Sequence, residues 1–220
     1  MAFTAQDVKS LRDMTNAGMM DCKKALTETG GDIDAAVKWL REKGMAHAAK
    51  RAGRVASEGA VASYIHMGGK IGVLVEINCE TDFAAKSELF QVFCKDICLQ
   101  VCSAAPQWVR REDVPQQAIA EEKGIYMARA KETGKPDHIL DKIAEGMLGK
   151  WYAEVCLLEQ VFVKDKDKTI EALTKEVSGT LGEKVEIRRF VRFQLGEGIE
   201  KPKADLAAEV AAEIAKGKGE

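Results

Sequence analysis

The sequence predicts an α+β protein: a small N-terminal helical bundle, then an antiparallel sheet with helices packed on it, then a C-terminal helix. Three observations point there. Residues 1–45 hold three short helical apolar periods separated by glycine-bearing breaks. Residues 71–80 alternate with period two behind a Gly68-Gly69 turn. Near the end, Leu206, Val210 and Ile214 form an i, i+4, i+8 stripe widened by Ala207 and Ala211.

In the first helix Thr4 and Asp7 have capping-box-like spacing ahead of Val8, Leu11 and Met14. Asn16, Ala17 and Gly18 punctuate. The second helix covers 21–27, with Ala25 and Leu26 on one side. Gly30 and Gly31 break it, and Asp32 can cap a third helix with Ile33, Ala36, Val37 and Leu40 at core spacing, ended by Gly44. A unit of this size is near the lower limit for independent folding, so its use is to present a surface. Residues 46–57, rich in Ala, Gly and basic side chains, read as a linker, part of it extending the third helix.

Residues 58–200 read as the α+β core. A hairpin flanks Gly68-Gly69; in its second strand Val73, Val75, Ile77 and Cys79 share one side. One helix is expected over 82–103, with Phe90, Phe93, Cys94, Ile97 and Val101 along its stripe. Two helical patterns follow at 115–134 and 136–149. Strand character returns over 151–163, 164–168 reads as a solvated turn, and 169–177 as a helix. The last strand covers 184–195, with Val185, Ile187, Val191 and Phe193 inward. Residues 201–220 form the terminal helix and a frayed tail.

The composition of 220 residues, 46% hydrophobic and 31% charged, is that of a globular chain with ample core. A net charge of −2 gives no bias towards nucleic acid or acidic membranes. Lys50, Arg51 and Arg54 are too few for a phosphate-binding stripe. No apolar run approaches the length of a membrane span, and the N-terminus has neither signal- nor transit-peptide character, which reads as cytoplasmic. The six cysteines contain no C-x-x-C pair and read as buried, reduced hydrophobes.

No phosphate-binding glycine loop, zinc-protease helix or nucleophile elbow is present, and His47, His66 and His138 lie far apart. No cofactor and no enzymatic reaction are expected. Glu76, Asn78 and Glu80 share a strand side near Asp82, so a hard-cation site supporting a metal-dependent hydrolase is conceivable; a solvated sheet side is the plainer reading. Phe83 stands at the polar corner between strand and helix. Its spacing to Phe90 and Ile97 extends the core stripe and points to a buried ring. The rival reading is a protruding ring on a rigid mount, with Asp82 capping the helix.

Two segments, "LRDMTNAGMMDCKKAL" (11–26) and "VEINCETDFAAKSE" (75–88), closely resemble the signature stretches of the elongation factor Ts family, nucleotide exchange factors for elongation factor Tu. "AEVCLLEQVFVKD" (153–165) and "RFQLGEGIEKPKADLAAEVA" (192–211) extend the resemblance over nearly the whole chain. Departures are Asn16 for the family's usual Gly, Ala84 for Val, Val161 for Pro and Leu206 for Phe. The single T-D-F stretch and the short chain imply one core subdomain, which leaves open completion by a second copy in a homodimer or a two-to-two complex.

The resemblance implies that the bundle is ubiquitin-associated-like and docks on the GTPase domain of elongation factor Tu, GDP-bound or nucleotide-free. It implies that Thr81, Asp82, Phe83 and Ala84 form the element inserted near the nucleotide's magnesium. Leu11, Met19 and Met20 are implied as the docking surface of the bundle, and Leu206 and Val210 as a further contact from the tail. A ubiquitin-type binding module built on residues 1–45 alone, or a ribosome or RNA binder, would be the alternatives.

Overall fold

In the computed structural model, which describes residues 3–15, 17–51, 53–132 and 137–199, three helices come first: α1 (Ala5–Thr15), α2 (Met19–Glu28) and α3 (Ile33–Arg51). The Thr4 amide and hydroxyl donate to Asp7 Oδ2 at 2.7 and 2.8 Å, and the Asp7 amide donates back to Thr4 Oγ1 at 3.3 Å. That closes the reciprocal cap its spacing predicts. Asp32 Oδ1 accepts the Ala35 amide at 2.9 Å and starts α3. Val8, Leu11, Cys22, Ala25, Leu26 and Ala36 fill the bundle core.

Gly44 does not end α3, which continues to Arg51. Its backbone instead takes part in a close helix crossing. A Cβ added to Gly179 of α8 (Ile170–Leu181) would lie 2.8 Å from the Gly44 Cα. Neither helix could approach so closely with larger residues at both positions.

Strands β1 (Glu58–His66), β2 (Ile71–Cys79) and β5 (Glu186–Gln194) form an antiparallel sheet in the order β1-β2-β5. Val73, Val75, Ile77 and Cys79 are buried against α5 (Glu88–Ala104), whose stripe of Phe90, Phe93, Cys94, Ile97 and Val101 is buried too. Val185 and Ile187 face the same core. Val191 and Phe193, expected inward, face out. Ile77 pairs with Ile187 but Glu76 with Arg189, so Arg188 is an extra residue in β5. That bulge reverses the alternation: Phe190 turns to the core, while Phe193 is 69% exposed.

The helix expected over 82–103 is two helices, α4 (Asp82–Lys86) and α5. Ser87 separates them with φ −66° and ψ 146°. Its hydroxyl donates to the Ala84 carbonyl at 2.7 Å and accepts the Phe90 amide at 3.3 Å, closing one helix and opening the next.

Helices α6 (Gln116–Glu132) and α7 (Asp137–Val155) follow. The strand expected from 151 is the end of α7. Leu148, Trp151, Tyr152 and Val155 lie on one helical side and pack with Val114, Ile119 and Tyr126, so the helical period wins over an alternation present in the same residues. Between α7 and α8 the strands are β3 (Val161–Phe162) and β4 (Asp165–Thr169), the latter where a solvated turn was expected. Fully buried Gln100 donates to Gln160 Oε1 and to the Val161 carbonyl, and accepts the Val163 amide. These bonds tie β3 to α5 without leaving the amide unsatisfied. Asn16, Leu206 and Val210, with the predicted tail helix, lie outside the described residues.

Candidate functional site

β2 ends at Cys79 and the chain turns sharply into α4. Thr81, not Asp82, caps that helix: with φ −131° and ψ 155°, its Oγ1 accepts the Ala84 amide at 3.2 Å. Asp82 is the first helical residue and pairs with Lys86 at 2.7 Å. The Lys86 ammonium lowers the pKa of the Asp82 carboxyl, and the carboxylate raises that of Lys86. The pair keeps negative charge at the helix start, where exposed backbone amides favour it.

Phe83 is next, and its ring is 81% exposed. Ala84 and Ala85 behind it are buried in the main core, so one turn of helix is anchored on one side and presents an aromatic ring on the other. The seven-residue spacing to Phe90 does not bring Phe83 into the core, because the Ser87 break re-aims the chain between them.

Glu183, one residue past the left-handed Gly182 (φ 73°) that ends α8, also reaches the corner. Its Oε2 accepts the amides of Glu80 and Thr81 at 3.1 and 3.0 Å, and its Oε1 accepts the Thr81 hydroxyl at 2.6 Å. In return the Lys184 amide donates to Glu80 Oε1 at 2.6 Å. The sequence reading missed Glu183. It lies 102 positions from Thr81, and no local pattern marks it.

On the bundle, Met19 and Met20 open α2 and are 56% and 74% exposed. Leu11, expected beside them on a docking surface, is fully buried in the bundle core. Its i, i+3 spacing from Val8 puts both on the core-facing side of α1. Thr81 to Ala84 thus form one corner of the core, and Met19 with Met20 a separate patch on the bundle.

The carboxylates weighed as a cation site are engaged with basic groups. Glu76 binds Arg188 and Arg189, both at 2.6 Å, and these bonds lower its pKa. Glu80 is bridged by Arg54 at 3.2 Å and Asp82 by Lys86. Among the described residues no three His, Cys, Asp or Glu side chains are grouped to hold a metal ion, and no helix is long and apolar enough to cross a membrane.

The family model described as elongation factor TS matches residues 2–197. The chain is 59% identical over 212 residues to the elongation factor Ts of Geobacter sulfurreducens, covering 96% of this chain and 98% of that protein. It is 60% identical over 212 residues to that of Geobacter metallireducens, at the same coverage. It is 58% identical over 212 residues to that of Desulforamulus reducens, again covering 96% and 98%. On the strength of a match that runs through the bundle, the exposed Phe83 corner and the sheet, the chain belongs to the elongation factor Ts family.

Proposed function

We propose that this chain promotes exchange of GDP for GTP on elongation factor Tu in the cytoplasm, by inserting the Asp82–Phe83 corner beside the nucleotide's magnesium. Nucleotide exchange is the coarser reading and rests on family membership. The insertion rests on one observation above the others: an aromatic ring 81% exposed on a helical turn whose next two residues are buried.

A GTPase holds GDP through a phosphate cradle and a magnesium ion. An exchange factor needs no bond-making of its own. It has to bind the open, magnesium-depleted state better than the closed one. A slot for the ring that exists only in the open state would contribute about 1.5–3 kcal/mol. The rigid mount matters because little of that energy is then lost in ordering the ring. Docking through the exposed Met19 and Met20 adds affinity that offsets the strain of opening. By linkage, the factor by which this chain weakens nucleotide binding is the factor by which nucleotide weakens the complex, so GTP entry releases the chain.

Two units divide the work, residues 1–45 for docking and 58–200 for insertion, joined through 46–57. A second copy completes the short core: Val61, Ile65, Leu74, Val191 and Phe193 leave the outer side of the sheet apolar and exposed, a surface suited to a matching sheet.

The test is release of fluorescent GDP from elongation factor Tu in a stopped-flow instrument. Phe83→Ala is expected to slow the stimulated release by roughly 10- to 150-fold, the equivalent of about 1.5–3 kcal/mol. Release at the unaltered rate, with Phe83→Ala folded, would refute the insertion.

A further inference from the structure

Glu183 is the group outside the corner that makes three of its hydrogen bonds, and no pattern in the neighbouring sequence marks it. The Thr81 hydroxyl has one proton and gives it to Glu183 Oε1 at 2.6 Å. An oxygen lone pair is thereby left to face the Ala84 amide, the bond that starts α4. Two consecutive amides, of Glu80 and Thr81, converge on the other carboxylate oxygen. Bonds to an ionised acceptor are the stronger kind, and three of them fix the direction in which the chain leaves β2.

Glu183 is itself held. Gly182 ends α8 in the left-handed conformation, and Ser178 Oγ donates to the Glu183 carbonyl at 2.5 Å. The Lys184 amide completes a second strap onto Glu80. α8 is anchored in the main core through Ile170 and Val177, and it crosses α3 at Gly179. The direction of Phe83 is therefore referenced to α8, the same helix on which the bundle rests, and not to β2 alone.

We propose that Glu183 is a positioning residue for exchange, aiming Phe83 through Thr81 and keeping it in register with the docking bundle. The proposal rests on the reading of Phe83 as the inserted group. It assigns to Glu183 an effect on the rate of GDP release that is expressed only when the Phe83 ring is present.

The experiment uses the full chain as four proteins: unaltered, Glu183→Gln, Phe83→Ala and the double variant. Each is titrated against elongation factor Tu loaded with fluorescent GDP. Glu183→Gln, which keeps the shape but replaces one acceptor oxygen with a donor, is expected to lower the maximal release rate about tenfold. The concentration giving half-maximal rate is expected to move by less than about twofold, because docking by the bundle is untouched. In the Phe83→Ala background the same change is expected to add less than about twofold. Hydrogen exchange at the Thr81 amide is expected to accelerate in Glu183→Gln while the amides of α5 stay protected. Thr81→Val, similar in shape and without the hydroxyl, removes the hydroxyl bond to Glu183 together with the α4 cap while leaving the two amide bonds, and is expected to give the same ring-dependent loss should Glu183→Gln fail to fold. An equal fold-loss with and without the ring would make Glu183 merely structural and overturn the proposal. So would an unaltered release rate in Glu183→Gln with the Thr81 amide exchanging fast. Phe83→Ala at the unaltered rate would sink the insertion reading itself. Phe83→Ala impaired beside an unimpaired Glu183→Gln would sink only the role of Glu183.

Discussion

Gly44 of α3 and Gly179 of α8 meet backbone to backbone, and the contact is asymmetric. A Cβ on Gly179 would lie 2.8–3.0 Å from the Gly44 Cα, carbonyl carbon and oxygen, whereas a Cβ on Gly44 would meet only the Gly179 Cα, at 3.6 Å. Gly179→Ala forces two helix backbones apart and is expected to destabilise the protein by about 1–3 kcal/mol. Gly44→Ala fits and replaces a poor helix former, so it is expected to be neutral or to stabilise by up to about 1 kcal/mol. Urea unfolding of the two variants checks the difference in sign.

Removal of residues 1–45 takes away the bundle core and half of the α3–α8 crossing, but none of the residues of the main core. The remaining chain is expected to keep its sheet and α5 while unfolding at a lower temperature. Circular dichroism measures both. Its affinity for elongation factor Tu is expected to fall, read by the concentration needed for half-maximal GDP release. Loss of the folded core would show that the two units are one.

The outer sheet face gives a test of assembly. Phe193, 69% exposed, pairs across β2 with Gly72, so no neighbouring side chain covers its ring from that position. Phe193→Glu is expected to shift a dimer to monomer in sedimentation velocity, since like charges would meet across the paired sheets. An unaltered chain that sediments as a monomer at all concentrations would refute the pairing.

Acid is expected to destabilise the fold in a defined window. Glu186 accepts hydrogen bonds from Lys184 first, and from Arg110, and these hold its pKa below the usual glutamate value. Glu76 is lowered by Arg188 and Arg189. Both groups therefore bind fewer protons folded than unfolded. Their stabilisation is full above about pH 4.3 and is lost as the pH falls through the lower folded values. Thermal midpoints measured from pH 5 to pH 3 are expected to decline, with a shallower slope in Glu186→Gln.

All six cysteines are free and buried. Burial pushes the Cys94 thiol up to about 12, and those of Cys98 and Cys156 up to about 11. The nucleophilic thiolate is thus scarce at neutral pH and shielded besides. A chromogenic disulfide at pH 8 is expected to label the native protein slowly and the urea-unfolded protein quickly. Fast labelling of a native cysteine would mean that the α5 core opens readily.

Much of the fold is legible because burial on one side writes a period into the sequence. Val73, Val75, Ile77 and Cys79 show it for β2, and Phe90, Phe93, Ile97 and Val101 for α5. The period misleads where two fit the same letters, as at 151–155, where Ala153 and Val155 alternate and Leu148, Trp151 and Val155 also share a helical side. It fails where one residue resets it. Arg188 does so in β5, and Ser87 does so between Phe83 and Phe90, which is why local pattern alone places Phe83 inside. Glu183 is invisible for another reason. It is one of 35 acidic residues, and its meaning lies in a partner 102 positions away. The cap of the corner, Thr81 in place of Asp82, is legible only in the structure, because either residue type suits the position.

The strap between Thr81 and Glu183 has a consequence for the chain during its synthesis. A five-residue helix has too few internal bonds to persist alone in water. The turn after β2 can take its final shape only once residue 183 has emerged from the ribosome and folded back across the sheet. Until then a nascent chain can carry a finished bundle, yet lacks the fixed aromatic tip. The fixed aromatic tip is thus a late feature of the nascent fold.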